Sequence, residues 1–117
     1  MIKLILLSLF LLMADTPRQV LLFYNKEDSE IWTKQMAELN SQQAGIKDRD
    51  IIIKSYKLSS ENEAVWKKWN IDKSKPFTFI LIGRDGGEKH RSNQIVSHRE
   101  LFSKIDAMPM RKNEIRK

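Results

Sequence analysis

One stretch limits the architecture more than any other: FTFILI, residues Phe77 to Ile82. A strand alternates its side chains between two faces, and here both faces are apolar, so the strand is expected at the centre of a sheet covered on both sides. Such a layered arrangement needs helices above and below, and the rest of the chain offers them. The run RQVLLFY, with Val20 to Tyr24 as its apolar part, is read as strand one. A helix follows from about Glu27 to Ala44, where Ile31, Trp32, Gln35, Met36 and Leu39 form a stripe at helical spacing and Gly45 is expected as its stop. DIIIKSYKL, Asp50 to Leu58, is the second strand. A capping box, Ser60-Glu61-Asn62-Glu63, then opens a short helix that turns Val65, Trp66 and Trp69 inward.

After the central strand, Asp85-Gly86 signals a two-residue hairpin with positive φ at both positions, leading into a short charged return strand, Gly87 to Ser92. A second capping box, Ser97-His98-Arg99-Glu100, sits between Val96 and Leu101 as a hydrophobic staple. It starts a helix with Leu101, Phe102, Ile105 and Met108 on one face, which Pro109 is expected to end. Strand, helix, strand makes the first two strands parallel by a right-handed crossover, and the hairpin makes the last two antiparallel. The predicted fold is therefore α/β, the minimal thioredoxin-like arrangement: a four-stranded mixed sheet of order 2-1-3-4 with helices on both faces. At 117 residues the chain buries about two-thirds of its unfolded surface in one core, with no length left for a second.

The first residues stand apart. Met1-Ile2-Lys3 gives a positive start, Leu4 to Met13 is an apolar run with Ser8 its single polar residue, and Ala14 is a small residue before polar sequence. The run is shorter than the about 20 residues that a membrane span needs, and this three-part pattern is that of a secretory signal cut after Ala14. Its leucine-rich character argues against a buried strand, which favours β-branched residues. The expected organisation is a signal at 1–14, a domain at 15–110 and a basic tail at 111–117. The protein is expected outside the cytoplasm, periplasmic or secreted, with no stable membrane insertion after cleavage.

Two segments carry a likeness beyond architecture: FTFILIGRDGGEKHRS (Phe77 to Ser92) and FSKIDAMPMRKNEIR (Phe102 to Arg116). With RQVLLFY they make the chain, from about Arg18 to its end, resemble the thioredoxin-like family known as domain of unknown function 4174, or P-DUDES. That family includes short exported bacterial proteins and domains within animal sushi-repeat and extracellular-matrix proteins. The resemblance implies a fold and an export habit, and no activity that maps onto numbered residues.

The chain contains no cysteine. Thiol-disulfide exchange on this fold needs a thiol after strand one, where a helix N-terminus stabilises the thiolate. That corner, Tyr24-Asn25-Lys26, is followed here by Glu27, Asp28, Ser29 and Glu30, whose acids suit the positive end of the helix dipole and would repel an anionic ligand. Pro76 stands where thioredoxin-like proteins place a cis-proline that contacts substrate; a plain proline leading into strand three is the favoured reading. The two histidines, His90 and His98, lie on different elements, so no metal site is expected, and no cofactor motif or nucleophile elbow occurs. The tryptophans fall on inward stripes, which with the export signal disfavours nucleic-acid binding.

What remains is charge. The net +6 becomes +5 without Lys3, 20 Lys and Arg against 15 Asp and Glu. Arg84, Lys89, His90 and Arg91 surround Asp85, Gly86 and Gly87 and form a candidate basic lip for a phosphate, a sulfated sugar or an acidic protein. Charge on a short return strand also blunts a sheet edge, which competes with that reading. Arg111, Lys112, Arg116 and Lys117 add to the positive field. The expected function is a non-redox binding module for a protein or an anionic polymer, acting through the hairpin and the tail. The alternative is an oxidoreductase-like or peroxide-handling protein with no cysteine of its own. Oligomeric state is left open.

Overall fold

The structure is a computed structural model and describes residues 16–115. The expected signal at 1–14 therefore lies outside the described residues, as do Arg116 and Lys117. Four strands form one sheet of order β2-β1-β3-β4: β1 Arg18–Tyr24, β2 Ile51–Lys57, β3 Phe77–Ile82 and β4 Glu88–Ser92. β1 runs parallel to β2 and β3 antiparallel to β4, as the sequence pattern predicts, and β1 runs antiparallel to β3. The helices are α1 Glu30–Asn40, α2 Gln43–Asp48, α3 Glu63–Lys68, α4 His98–Asp106 and α5 Pro109–Ile115.

The strand period divides the core in two. Val20 and Leu22 of β1 and Phe77, Phe79 and Leu81 of β3 face α1 and α4, where Leu39, Leu101 and Ile105 cover them. Leu21, Phe23, Ile80 and Ile82 face the other way, onto Trp66 of α3 and Ile71. Every residue of β3 is buried, which is why six consecutive positions there tolerate almost nothing polar. The exception, Thr78, has its hydroxyl bonded to Asn93 Nδ2 at 2.9 Å.

Several boundaries differ from the sequence reading. The first helix begins at Glu30, because Ser29 serves as its N-cap and its Oγ accepts from Trp32 N at 3.2 Å. It ends at Asn40, and a separate α2 carries the chain past Gly45. Gly45 is inside a helix for a packing reason: a Cβ there would lie 2.5 Å from the Phe102 ring. The first capping box does not form. Asn62 occupies the cap position and sends its amide back to Lys57 O at 2.9 Å. The second box forms by half, with Ser97 Oγ accepting from Glu100 N while Glu100 turns to His90. Pro109 does not close the fold but opens α5, where its missing N–H and restricted φ suit the first helical position. Residues 111–115, expected as part of a basic tail, are thus a packed helix with Arg111 buried.

The hairpin also differs. Gly86 has φ 82°, whereas Asp85 is not left-handed, and Gly86 N donates to Gly83 O at 3.0 Å. This is a three-residue loop, a turn through Arg84 and Asp85 completed by glycine, in place of two positive-φ positions. A register shift follows between Leu81 and Ile82, which pair with His90 and Glu88, so Lys89 has no residue opposite it.

Candidate functional site

At the end of β1 the corner is tied down. Tyr24 stacks on Trp32 with ring centroids 4.8 Å apart, and Trp32 Nε1 donates to Ser55 Oγ at 2.9 Å. Asn25 N donates to Pro76 O at 3.3 Å, and Asn25 Nδ2 reaches Lys73 O and Lys75 O at 3.4 and 3.2 Å. The described residues contain no cis peptide, so Pro76 is trans. Of the acids, Glu30 lies in the first turn of α1, Glu27 pairs with Lys57 at 3.1 Å, and Asp28 is exposed. Lys26 is exposed and its carbonyl accepts from Ser29 N. A shallow groove of about 570 Å³ runs past Asn25, Lys26, Ser29, Pro76 and Ile95, with no thiol in it.

The candidate basic lip is split by the structure, and its cations are neutralised. Lys89 Nζ meets Asp85 Oδ2 at 2.9 Å, and Asp85 Oδ1 accepts from Gly87 N. These donors hold the Asp85 carboxyl below its usual pKa, with the Lys89 hydrogen bond the largest cause. Arg91 turns to the other face, bridging Glu88 at 2.8 Å and Trp69 O at 2.7 Å. His90 goes to Glu100 Oε2 at 3.1 Å. Arg84 folds inward: Nη1 donates to Asp50 Oδ2 at 2.8 Å and Thr16 O at 3.0 Å, and Nε to Glu114 Oε2 at 3.1 Å.

Arg84 belongs to a larger charged cluster at the beginning of β1. Arg18, 1% exposed, donates to Glu114 Oε2 at 2.9 Å and to Arg49 O at 2.8 Å. Arg49 clasps Asp106 through Nε and Nη2 and lies over the Phe102 ring at 3.9 Å. Arg111 pairs with Asp48, Asp106 and Glu114. Burial pushes the Glu114 carboxyl up, but hydrogen bonds and charge from Arg18 and Arg84 win and hold it at about 2.

Beside this cluster lies an open cavity of about 640 Å³. The hairpin contributes Gly83, Arg84, Asp85 and Lys89, the α4–α5 elbow contributes Lys104, Ala107, Met108, Pro109 and Met110, and Arg18 reaches it from β1. Arg18 Nε is buried without a hydrogen-bond partner among the described residues. Lys104, on the rim, is exposed and has no ion pair among the described residues. Of the candidate residues, Arg84, Asp85 and Lys89 thus share one cavity, Gly86 and Gly87 belong to the hairpin but do not line it, and His90 and Arg91 point elsewhere. Lys104, Met108 and Met110 were not among the sequence candidates. Their signal was the Pro109 start of a further helix directly after α4. Among the described residues no group of three or more potential metal ligands converges, and no helix is long and apolar enough to cross a membrane.

This sheet order, with helices on both faces and an empty thiol position at the first strand-to-helix corner, defines a thioredoxin-like protein without thiol chemistry of its own. Solved structures show the same fold. Plasmodium vivax 2-Cys peroxiredoxin aligns with a TM-score of 0.67 at 14% identity, covering 90% of this chain and 84% of that one. Thioredoxin-2, a component of malaria parasite protein secretion machinery, gives 0.63 at 22% identity, covering 79% and 84%. Trxlp from Edwardsiella tarda gives 0.58 at 19%, covering 83% and 89%. At these identities the likeness is one of fold. None of the curated proteins matches the sequence. The chain belongs to the family described as Domain of unknown function (DUF4174), whose profile matches residues 12–114.

Proposed function

We propose that this protein is an exported, non-redox binding module that holds an acidic segment of a partner protein in the cavity between the hairpin and the α4–α5 elbow. The observation that carries the reading is the make-up of that cavity: an apolar wall of Ala107, Met108, Pro109 and Met110 beneath a rim where Lys104 is a cation without an ion pair among the described residues, Lys89 being held by Asp85. Its volume, about 640 Å³, lies in the range of sites that enclose a few side chains. An apolar wall favours a peptide that presents a hydrophobic side chain next to a carboxylate over a sulfated polymer, which offers charge and little apolar surface. The lip cations Arg84 and Arg91 are committed to internal partners, which also weighs against a polyanion track.

The test is a titration of protein carrying ¹³C-methyl methionine with an acetylated Leu-Glu-rich peptide and, separately, with heparin. The reading expects Met108 and Met110 methyl shifts with the peptide, saturable and lost in Lys104→Glu. Shifts with heparin alone, or none at these methyls, sink it. Export is tested by the N-terminal residue of the protein recovered from the cell exterior or periplasm, expected at Asp15.

A further inference from the structure

The two edges of the sheet are not alike. β4, on one side, is short, charged and bulged, all devices that discourage another strand from adding. β2, on the other, has seven residues in unbroken register with β1, no proline, and the triplet Ile51-Ile52-Ile53. The bonds Arg18 N to Asp50 O and Leu58 N to Tyr24 O show that even-numbered residues of β2 turn their backbone groups toward β1. Ile51, Ile53, Ser55 and Lys57 therefore direct theirs outward. Lys57 O is taken by Asn62. The outward groups of Ile51, Ile53 and Ser55 meet no partner among the described residues. Ile52 is 44% exposed, and a small groove of about 270 Å³ runs along the same edge, its apolar side made by Leu39, Ile46, Ile51 and Ile53 and its polar side by residues of α1, α2 and the turn before β2.

We infer that β2 pairs antiparallel with β2 of a second copy of this chain, about a two-fold axis at Ile52, to give a continuous sheet. Side-chain chemistry selects both the occupant and the register. With the axis at Ile52, the two Ile52 side chains meet on the α3 face as a non-hydrogen-bonded pair. Ile51 of each copy then lies opposite Ile53 of the other on the α1 face, where they close over the groove, and these pairs exchange the outward N–H···O bonds. Lys54 of each copy comes beside the strand entry of the other, where Asp50, at φ 52°, stands just ahead of β2. Asp50 is half-exposed and uses only Oδ2 on Arg84, and Lys54 is exposed with no ion pair among the described residues. An axis at Lys54 instead sets two lysines against each other, and one at Ile53 sets Ile52 against Lys54. Only the first register is complementary in both charge and apolar surface.

Because the chain has no cysteine, a single one reports the register without ambiguity. Non-hydrogen-bonded antiparallel pairs bring Cα atoms to about 4.5 Å, inside disulfide reach. Ile52→Cys is expected to form a covalent dimer rapidly under mild oxidation, and Lys54→Cys to stay largely monomeric. In sedimentation the unmodified protein should rise from one chain toward two between roughly 1 and 200 μM, as a small interface implies. Ile52→Lys, with unchanged circular dichroism, should weaken this at least about tenfold. A chain that stays monomeric across the range, or a Lys54→Cys variant that cross-links as fast as Ile52→Cys, overturns the inference.

Discussion

β1 ends in two quite different environments. At Tyr24 it runs into a corner held mainly by uncharged, pairwise contacts: a Ser29 cap, a Tyr24–Trp32 stack and the Asn25 side chain reaching to the 73–75 carbonyls. At Arg18 it begins inside a charged cluster that joins residues far apart in sequence, with Glu114 linking Arg18, Arg84 and Arg111. The corner is where a thioredoxin-like protein exposes its chemistry, and this chain has filled it with capping and stacking. The opposite end is where the last helix is fastened, and there the fold depends on partners that must all be present together. A pairwise contact fails alone, whereas a shared carboxylate fails for three arginines at once.

The largest expected effect is therefore at Glu114. Glu114→Ala leaves Arg18, which is 1% exposed, with only the Arg49 carbonyl, and removes one of two acids from Arg84. Breaking a mostly buried pair by deleting one member costs about 3 kcal/mol, measurable as a lowered urea midpoint with little change in slope. A loss no larger than that of a surface residue would mean that the Arg18 end, like the corner, is held by contacts that act singly.

The same carboxylate predicts acid sensitivity. Its folded pKa, about 2, lies below the unfolded value of 4.5, so its contribution is present above the unfolded pKa and lost as pH falls through the window from 4.5 to 2. The Asp106 carboxyl is lowered in the same direction, by the Arg49 hydrogen bond first and Arg111 in addition. Chemical denaturation followed from pH 6 to pH 2 should lose roughly 3 kcal/mol from Glu114 alone. Glu114→Gln should flatten that slope while leaving the corner's tryptophan fluorescence unchanged before unfolding. A slope identical to that of the unmodified protein would assign the acid sensitivity elsewhere.

This division also explains what the sequence made legible. The sheet order, the central β3 and the inward face of α1 follow from local period, and even Gln35 is correctly placed on that face, where its amide grips Val96 N and O. The ion cluster was not legible, because Arg18, Asp48 and Glu114 read singly as ordinary surface charges and Arg84 as a member of the basic lip; only the assembled fold brings them together. For the same reason the basic lip looked like one patch, although a single bulge at Lys89 and the alternation of β4 send its members to three different surroundings. Gly45 and Pro109 were read by their usual roles as helix stops. Their actual reasons, a close Phe102 ring and a first-turn position, depend on a neighbour or on the helix beyond.

At the corner the expected effects are smaller and separable. Ser29→Ala removes the Oγ that accepts from Trp32 N, leaving a helix-end donor of α1 without its cap, and should cost about 1 kcal/mol. Ser29→Asp should restore it, since a carboxylate at the cap both accepts that bond and suits the dipole. Smallest of all is Glu27→Ala: its pair with Lys57 joins a side chain 88% exposed to one 36% exposed, so solvent screens it on both sides. Its thermal midpoint should match that of the unmodified protein at both low and high salt. If Glu27→Ala instead lowered stability as far as Ser29→Ala, and salt erased the difference, the corner would be held by charge as the Arg18 end is, and the contrast between the two ends of β1 would vanish.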